Sequence, residues 1–209
     1  LGFKDWASYV MTSRMAQTTD NVYGILDDLA PKAVEKAKAE AAAIQKVIND
    51  SGESFELKPW DWAFYAEKVR AEKYDLDPAL VKPYFEMNSV IHDGLFFAMN
   101  KLYGITFKER KDLPVYHEDV TAYEVFNADG SAIGLFYMDP YAREGKRGGA
   151  WMSAYVSQSG LKGTKPVIYN AQNIPKPAEG EPTLMTFDEV STMFHEFGHA
   201  AHGLFSNVK

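Results

Sequence analysis

The chain has 209 residues, a formal net charge of -7 and no cysteine. That length suffices for one large domain or two small ones with a substantial core. The acidic balance argues against a general nucleic-acid binder, the lack of thiols excludes disulfides and thiolate metal sites, and no apolar run approaches membrane-spanning length. Residues 3–15 predict a short helix with Phe3, Trp6, Val10 and Met15 along one side. Ala30-Pro31 predicts the start of a second helix, because proline suits a first turn. Val34, Ala37, Ala41, Ile44 and Ile48 continue it at three- and four-residue steps to Gly52. Pro59-Trp60-Asp61-Trp62 opens a third helix running to about Tyr74, whose aromatic residues read as core. Asp77-Pro78 caps a short helix, and Pro83 begins a longer one ending near Tyr103-Gly104. A lone His92 on that helix reads as structural, as does His117 in the loop that follows.

After about Lys111 the apolar pattern changes to period two. Residues 122–127 and 133–138 predict strands joined by a turn at Asp129-Gly130, and residues 150–158 and 166–169 predict two more. Arg143 to Gly149 is charged and glycine-rich but lacks the order of a phosphate-binding loop, so it reads as a mobile turn. Asn173 to Pro182 holds three prolines and reads as a surface loop. The fold class expected is mainly α with a small antiparallel β-sheet. Residues 1–111 are mostly helical, 112–183 form the sheet and loops, and 184–209 carry one further helix.

That last helix carries the chemistry. Thr186 followed three residues later by Glu189 is a capping box. Val190, Met193, Phe194, Phe197, Ala201 and Leu204 then form an apolar stripe at helical spacing. Inside it stands His195-Glu196-Phe197-Gly198-His199. Residues four apart share a helical face, so His195 and His199 can both reach one zinc ion, while Glu196 is offset to act as general base on a water. The sheet just before this helix has a use as well. Its edge strand can pair with an extended peptide, and Gly148, Gly149 and Ala150 let a substrate backbone approach closely.

Phe194 through Gly203 (FHEFGHAAHG) resembles the zinc helix of the thimet oligopeptidase family of metallopeptidases. So do Gly2-Phe3-Lys4, Asn100 to Gly104, Leu113 to Tyr116, Tyr141 to Met152 (YAREGKRGGAWM) and Lys165 to Asn170. Within that family the bacterial peptidyl-dipeptidases are the nearer group, and oligopeptidase A, an endopeptidase, is the alternative. The resemblance implies a zincin-type, two-lobed helical fold with a deep channel for short peptides. It implies one Zn2+ held by His195, His199 and a glutamate from the next helix, with Glu196 as base. It also implies release of C-terminal dipeptides in the cytoplasm, and a strand around Gly149 and Ala150 beside the substrate. The chain starts at Leu1 rather than Met and ends ten residues after His199, which predicts a piece of a longer protein whose C-terminal part supplies the third ligand beyond Lys209. By itself the piece is then expected to be inactive. His202 lies seven residues from His195, about 10.5 Å along a helix axis, too far to share one ion with both other imidazoles. It reads as a supporting or structural residue.

Overall fold

The computed structural model describes residues 2–74 and 78–209. Two compact units are present, Leu1–Leu76 and Asp77–Lys209. In the first, α1 (Trp6–Met11) is capped by Asp5, whose carboxylate accepts the Ser8 N–H at 2.7 Å. Helix α2 (Thr19–Asp50) begins twelve residues before the proline at which a start was expected, with Pro31 in its interior. The missed signal is Thr18, whose hydroxyl accepts the Asn21 N–H at 3.1 Å and satisfies one of the first-turn donors. Helix α3 (Trp62–Tyr74) packs Tyr65 against Ile44, Val47 and Ile48. Trp60 and Phe64 are largely exposed instead of joining that core.

The second unit opens with α4 (Pro78–Val81) and a 3-10 turn, Lys82–Tyr84, that takes up Pro83. The proposed cap Asp77 lies outside the described residues. The long helix therefore starts at Met87, capped by the Glu86 carboxylate on the Ser89 N–H at 2.9 Å. It runs through α5 (Met87–Ser89), a π-helical stretch (Val90–Phe96) and α6 (Phe97–Tyr103), and stops at Gly104.

Five strands follow: β1 (Thr106–Glu109), β2 (Thr121–Phe126), β3 (Ala132–Tyr141), β4 (Trp151–Val156) and β5 (Val167–Ile174). Four were expected. The fifth, β1, has a single large apolar side chain, Phe107, in Thr-Phe-Lys-Glu, too short a pattern to reveal period two. The sheet is mixed rather than antiparallel. Its order is β1-β2-β3-β5-β4, and β5 pairs parallel to β3 with Leu135 opposite Val167 and Met138 opposite Asn170. Period two identifies a strand without naming its neighbour, and the expected antiparallel sheet did not anticipate that β5 inserts between β3 and β4. Strand β5 also runs to Ile174, so Asn173 and Ile174 belong to the sheet and not to the loop.

One face of the sheet offers Tyr123, Val125, Phe136, Met138, Ile168 and Ile174. Against it lie Val90, Ile91 and Leu95 of the long helix and Met193, Phe197, Ala200, Ala201 and Leu204 of α7 (Phe187–Leu204). The opposite face buries Val120, Ala122 and Tyr137. No helix among the described residues is long and apolar enough to cross a membrane.

Candidate functional site

Helix α7 starts where its capping box predicts. The Thr186 hydroxyl accepts the Glu189 N–H at 3.1 Å, and the Glu189 carboxylate accepts the Thr186 N–H at 2.7 Å. Two contacts tie this first turn down. The Met185 N–H donates to the Phe85 carbonyl at 2.9 Å, and the Gln172 amide on β5 donates to the Glu189 carbonyl at 3.3 Å. At the other end Gly203 sits so close to the sheet that a β-carbon there would stand 2.8 Å from Met152 Cε and 2.9 Å from Ile168 Cδ1. The helix thus lies across β5 and the outermost strand β4 at a fixed height. Phe197, fully buried, meets Phe136 edge-on at 5.1 Å between ring centroids.

With the helix held this way, His195 and His199 are both exposed on its outer face. Their Nε2 atoms are 3.3 Å apart and their rings are inclined at 80°. Two nitrogens bound tetrahedrally to one zinc at ~2.0–2.1 Å stand ~3.3–3.4 Å apart, so the pair has the spacing of two ligands to one ion. Among the described residues no third His, Asp or Glu joins them in a cluster that could hold a metal.

Glu196 differs from both histidines. It is only 9 % exposed, on the side of the helix that carries Met193 and Ala200. Residues seven apart lie nearly above one another, so Glu196 shares its stripe with Gly203, which rests on Met152 of β4 and Ile168 of β5. No described residue hydrogen-bonds its carboxylate. Phe194, counted in the apolar stripe, is at its exposed margin. His202 is exposed and takes no part in the imidazole pair. His92 packs edge-on against Phe96 and Tyr123, and the His117 Nδ1 accepts the Asp119 N–H at 3.2 Å.

Gly148, Gly149 and Ala150 lead directly into β4, which has β5 on one side and no strand on the other. Gly148 needs neither a positive φ nor space for packing, since a β-carbon there would meet nothing within 4 Å. The preceding loop is anchored, not a loose turn. Asp139, at the end of β3, is 2 % exposed. Its carboxylate accepts both guanidinium arms of Arg143 at 2.6 and 2.8 Å, the Lys146 ammonium at 3.0 Å and the Tyr116 hydroxyl at 2.9 Å. Lys146 also donates to the carbonyls of Asp139 at 2.9 Å and Tyr141 at 2.7 Å, so its three protons are all placed. Burial opposes ionisation of Asp139, but the donors Arg143, Lys146 and Tyr116 together outweigh it and hold its carboxyl below the usual carboxylate value. Burial pulls the Lys146 ammonium down, with Asp139 opposing.

The chain matches Peptidase family M3 over residues 1–209. It belongs to that family. Dipeptidyl carboxypeptidase of Escherichia coli (strain K12) is 50 % identical over 209 residues, covering 100 % of this chain and 31 % of that protein. Oligopeptidase A of the same organism is 39 % identical over 212 residues, again covering 100 % of this chain and 31 % of the relative. The thimet-like oligopeptidase of Dictyostelium discoideum is 34 % identical over 223 residues, with 100 % of this chain and 33 % of the relative covered. This family M3 chain therefore spans about a third of the length of these relatives.

Sequence reasoning brought out the residues of α7 and the glycines before β4, but not Asp139, Lys146 or Asn173. A signal for the first two was present. A carboxylate at the end of the apolar run Leu135 to Met138 needs cationic partners, and Arg143 and Lys146 follow within seven residues.

Proposed function

We propose that the full-length protein is a zinc metallopeptidase that hydrolyses short oligopeptides and releases dipeptides from their C-termini. The observation that carries this is the exposed imidazole pair at ligand spacing, 3.3 Å, with the buried Glu196 one residue on, in a chain of a peptidase family. His195 and His199 are two ligands, and a glutamate beyond Lys209 is the third. Release of dipeptides is favoured over endopeptidase action by the higher identity to dipeptidyl carboxypeptidase, 50 %, than to oligopeptidase A, 39 %. The two-lobed zincin-type arrangement is proposed for the full-length protein on the same family ground.

A zinc ion bound there supplies Lewis acidity, which polarises a peptide carbonyl and brings a water within reach of deprotonation near neutral pH. Glu196 takes a proton from the attacking water and hands it to the departing amine. It works on a carbonyl held beside the imidazole pair by the edge strand β4. The free edge of β4 pairs with the extended substrate backbone, and Gly148, Gly149 and Ala150 give that backbone room. Gly198, between the histidines, has open space where a β-carbon would stand, and it keeps that face of the helix low.

Glu196→Gln in the full-length protein tests the assignment. About one zinc per chain should remain, while turnover falls by ~10²–10⁴ or more, the share general-base catalysis supplies. Mass spectrometry of a peptide digest should show dipeptides lost stepwise from the C-terminus. Near-normal turnover in the variant, or zinc retained after both histidines are replaced by alanine, rules the assignment out.

A further inference from the structure

The strand that would receive substrate, β4, is one of the two edge strands, and an edge strand gains nothing from a neighbour on its free side. Something else must hold its first residues in place. The ladder between β4 and β5 pairs Trp151 with Ala171. Continued two residues outward, that register sets Gly149 opposite Asn173. Gly149 has φ +86°, outside extended geometry, so the backbone ladder stops there. The Asn173 side chain takes over. Its Nδ2 donates to the Gly149 carbonyl at 2.7 Å and to the Arg147 carbonyl at 2.8 Å, using both amide protons. On the far side of the same loop the buried Lys146 is bound to two β3 carbonyls and to Asp139. The loop from Arg143 to Ala150 is thus fastened at both ends, to β3 by a buried charge and to β5 by one amide.

We propose that Asn173 is a positioning residue for substrate: by clamping the carbonyls of Arg147 and Gly149 towards β5, it holds Gly148 to Ala150 in line with the free edge of β4, ready to pair with a peptide. This rests on the peptidase assignment above. Asn173 does not touch the imidazole pair or Glu196, and it acts through the strand. Its effect therefore falls on binding, with the chemical step spared, because an ordered edge lowers the entropy lost when substrate docks.

The test uses the full-length zinc-loaded protein with Asn173→Ala and Asn173→Asp. Asp keeps the shape of Asn but has no proton to donate, so both variants lose the two hydrogen bonds. Asn173 is only partly buried, and both variants are expected to fold with unchanged zinc content. With two hydrogen bonds removed, KM should rise about tenfold in both, with kcat within about twofold of wild type. Amide exchange at residues 148–150 should quicken in the same two variants, without peptide present. An unchanged KM overturns the proposal, as does a wild-type KM in Asn173→Asp or a fall in kcat matching the loss in kcat/KM. If the wild-type protein does not cleave peptides at all, the peptidase assignment falls and this inference with it. When the wild type cleaves and Glu196→Gln abolishes turnover, the assignment stands, and the KM values of the two variants then bear on Asn173 alone.

Discussion

Phe197→Ala should loosen the helix that carries His195 and His199. Phe197 is 0 % exposed and sits between Glu196 and Gly198. Its ring meets Phe136 at 5.1 Å and Phe107 at 5.7 Å, both edge-on, which anchors the middle of α7 to β3 and β1. Removing a fully buried phenylalanine ring costs ~3–5 kcal/mol, because the transfer energy is lost and the fixed strands below cannot close the cavity. Alanine returns only ~0.5 kcal/mol through its better helix propensity. Phe197→Leu keeps most of the volume, so its cost should stay under ~1.5 kcal/mol. Because the chain divides into two compact units, the assay is native-state hydrogen exchange at the α7 amides of the full-length protein, which reads this helix alone. The alanine variant should lower their protection by at least ~3 kcal/mol and the leucine variant by about half of that or less. On the proposed zinc assignment, metal affinity should fall in the same order, since two nitrogens 3.3 Å apart on one helix need that helix held still. A loss below ~1 kcal/mol in Phe197→Ala would show that α7 is anchored by something other than this packing.

Two further predictions concern the sheet. Asp139 has a folded-state pKa below its unfolded value, so its contribution to stability is complete above the unfolded carboxylate pKa of ~3.9 and is lost as pH falls through the folded value. Asp139→Asn should therefore cost ~3 kcal/mol at pH 7, by leaving Arg143 and Lys146 without their carboxylate, and should flatten the acid limb of a stability-against-pH curve; an unchanged acid limb refutes it. Glycine substitutions should separate by what stands opposite. In Gly134→Ala the new β-carbon would collide with the Pro166 carbonyl oxygen, forcing β3 and β5 apart, at ~3 kcal/mol. In Gly203→Ala it meets only the ends of Met152 and Ile168, which can rotate, and a helix propensity gain of ~1 kcal/mol offsets the crowding. Thermal unfolding should rank Gly134→Ala as clearly the worse, and the reverse order would contradict the geometry.

Helix α7 was legible because everything that makes it is local. Its cap, its stripe and its His-Glu-x-x-His spacing all fall within nineteen residues, Thr186 to Leu204, and a helix satisfies its own backbone. Strands β2 and β3 were legible for the same reason, with alternating apolar residues on both sides of a turn at Asp129-Gly130. Even so, burial of Glu196 between two exposed histidines could not be read from the motif. It depends on how far the helix is rotated against the sheet, which the packing of Met193, Phe197, Ala200 and Leu204 on the strands decides.

Helical periodicity sets which residues share a face, so the order of residues was enough to place two imidazoles and a carboxylate on one helix after a sheet. It was not enough to say which strands lie at the edges, β1 and β4, and that came from the packed fold. Strand β5 enters between β3 and β4, in parallel with the former, through pairs such as Leu135 with Val167 that lie far apart in the chain. The same long-range pairing brings Asn173 to Gly149, and the fold of the loop on β3 brings Lys146 to Asp139. Local patterns carry no record of such partners, because hydrogen bonds and ion pairs across a sheet depend on register and strand order, and these follow from how the whole core packs.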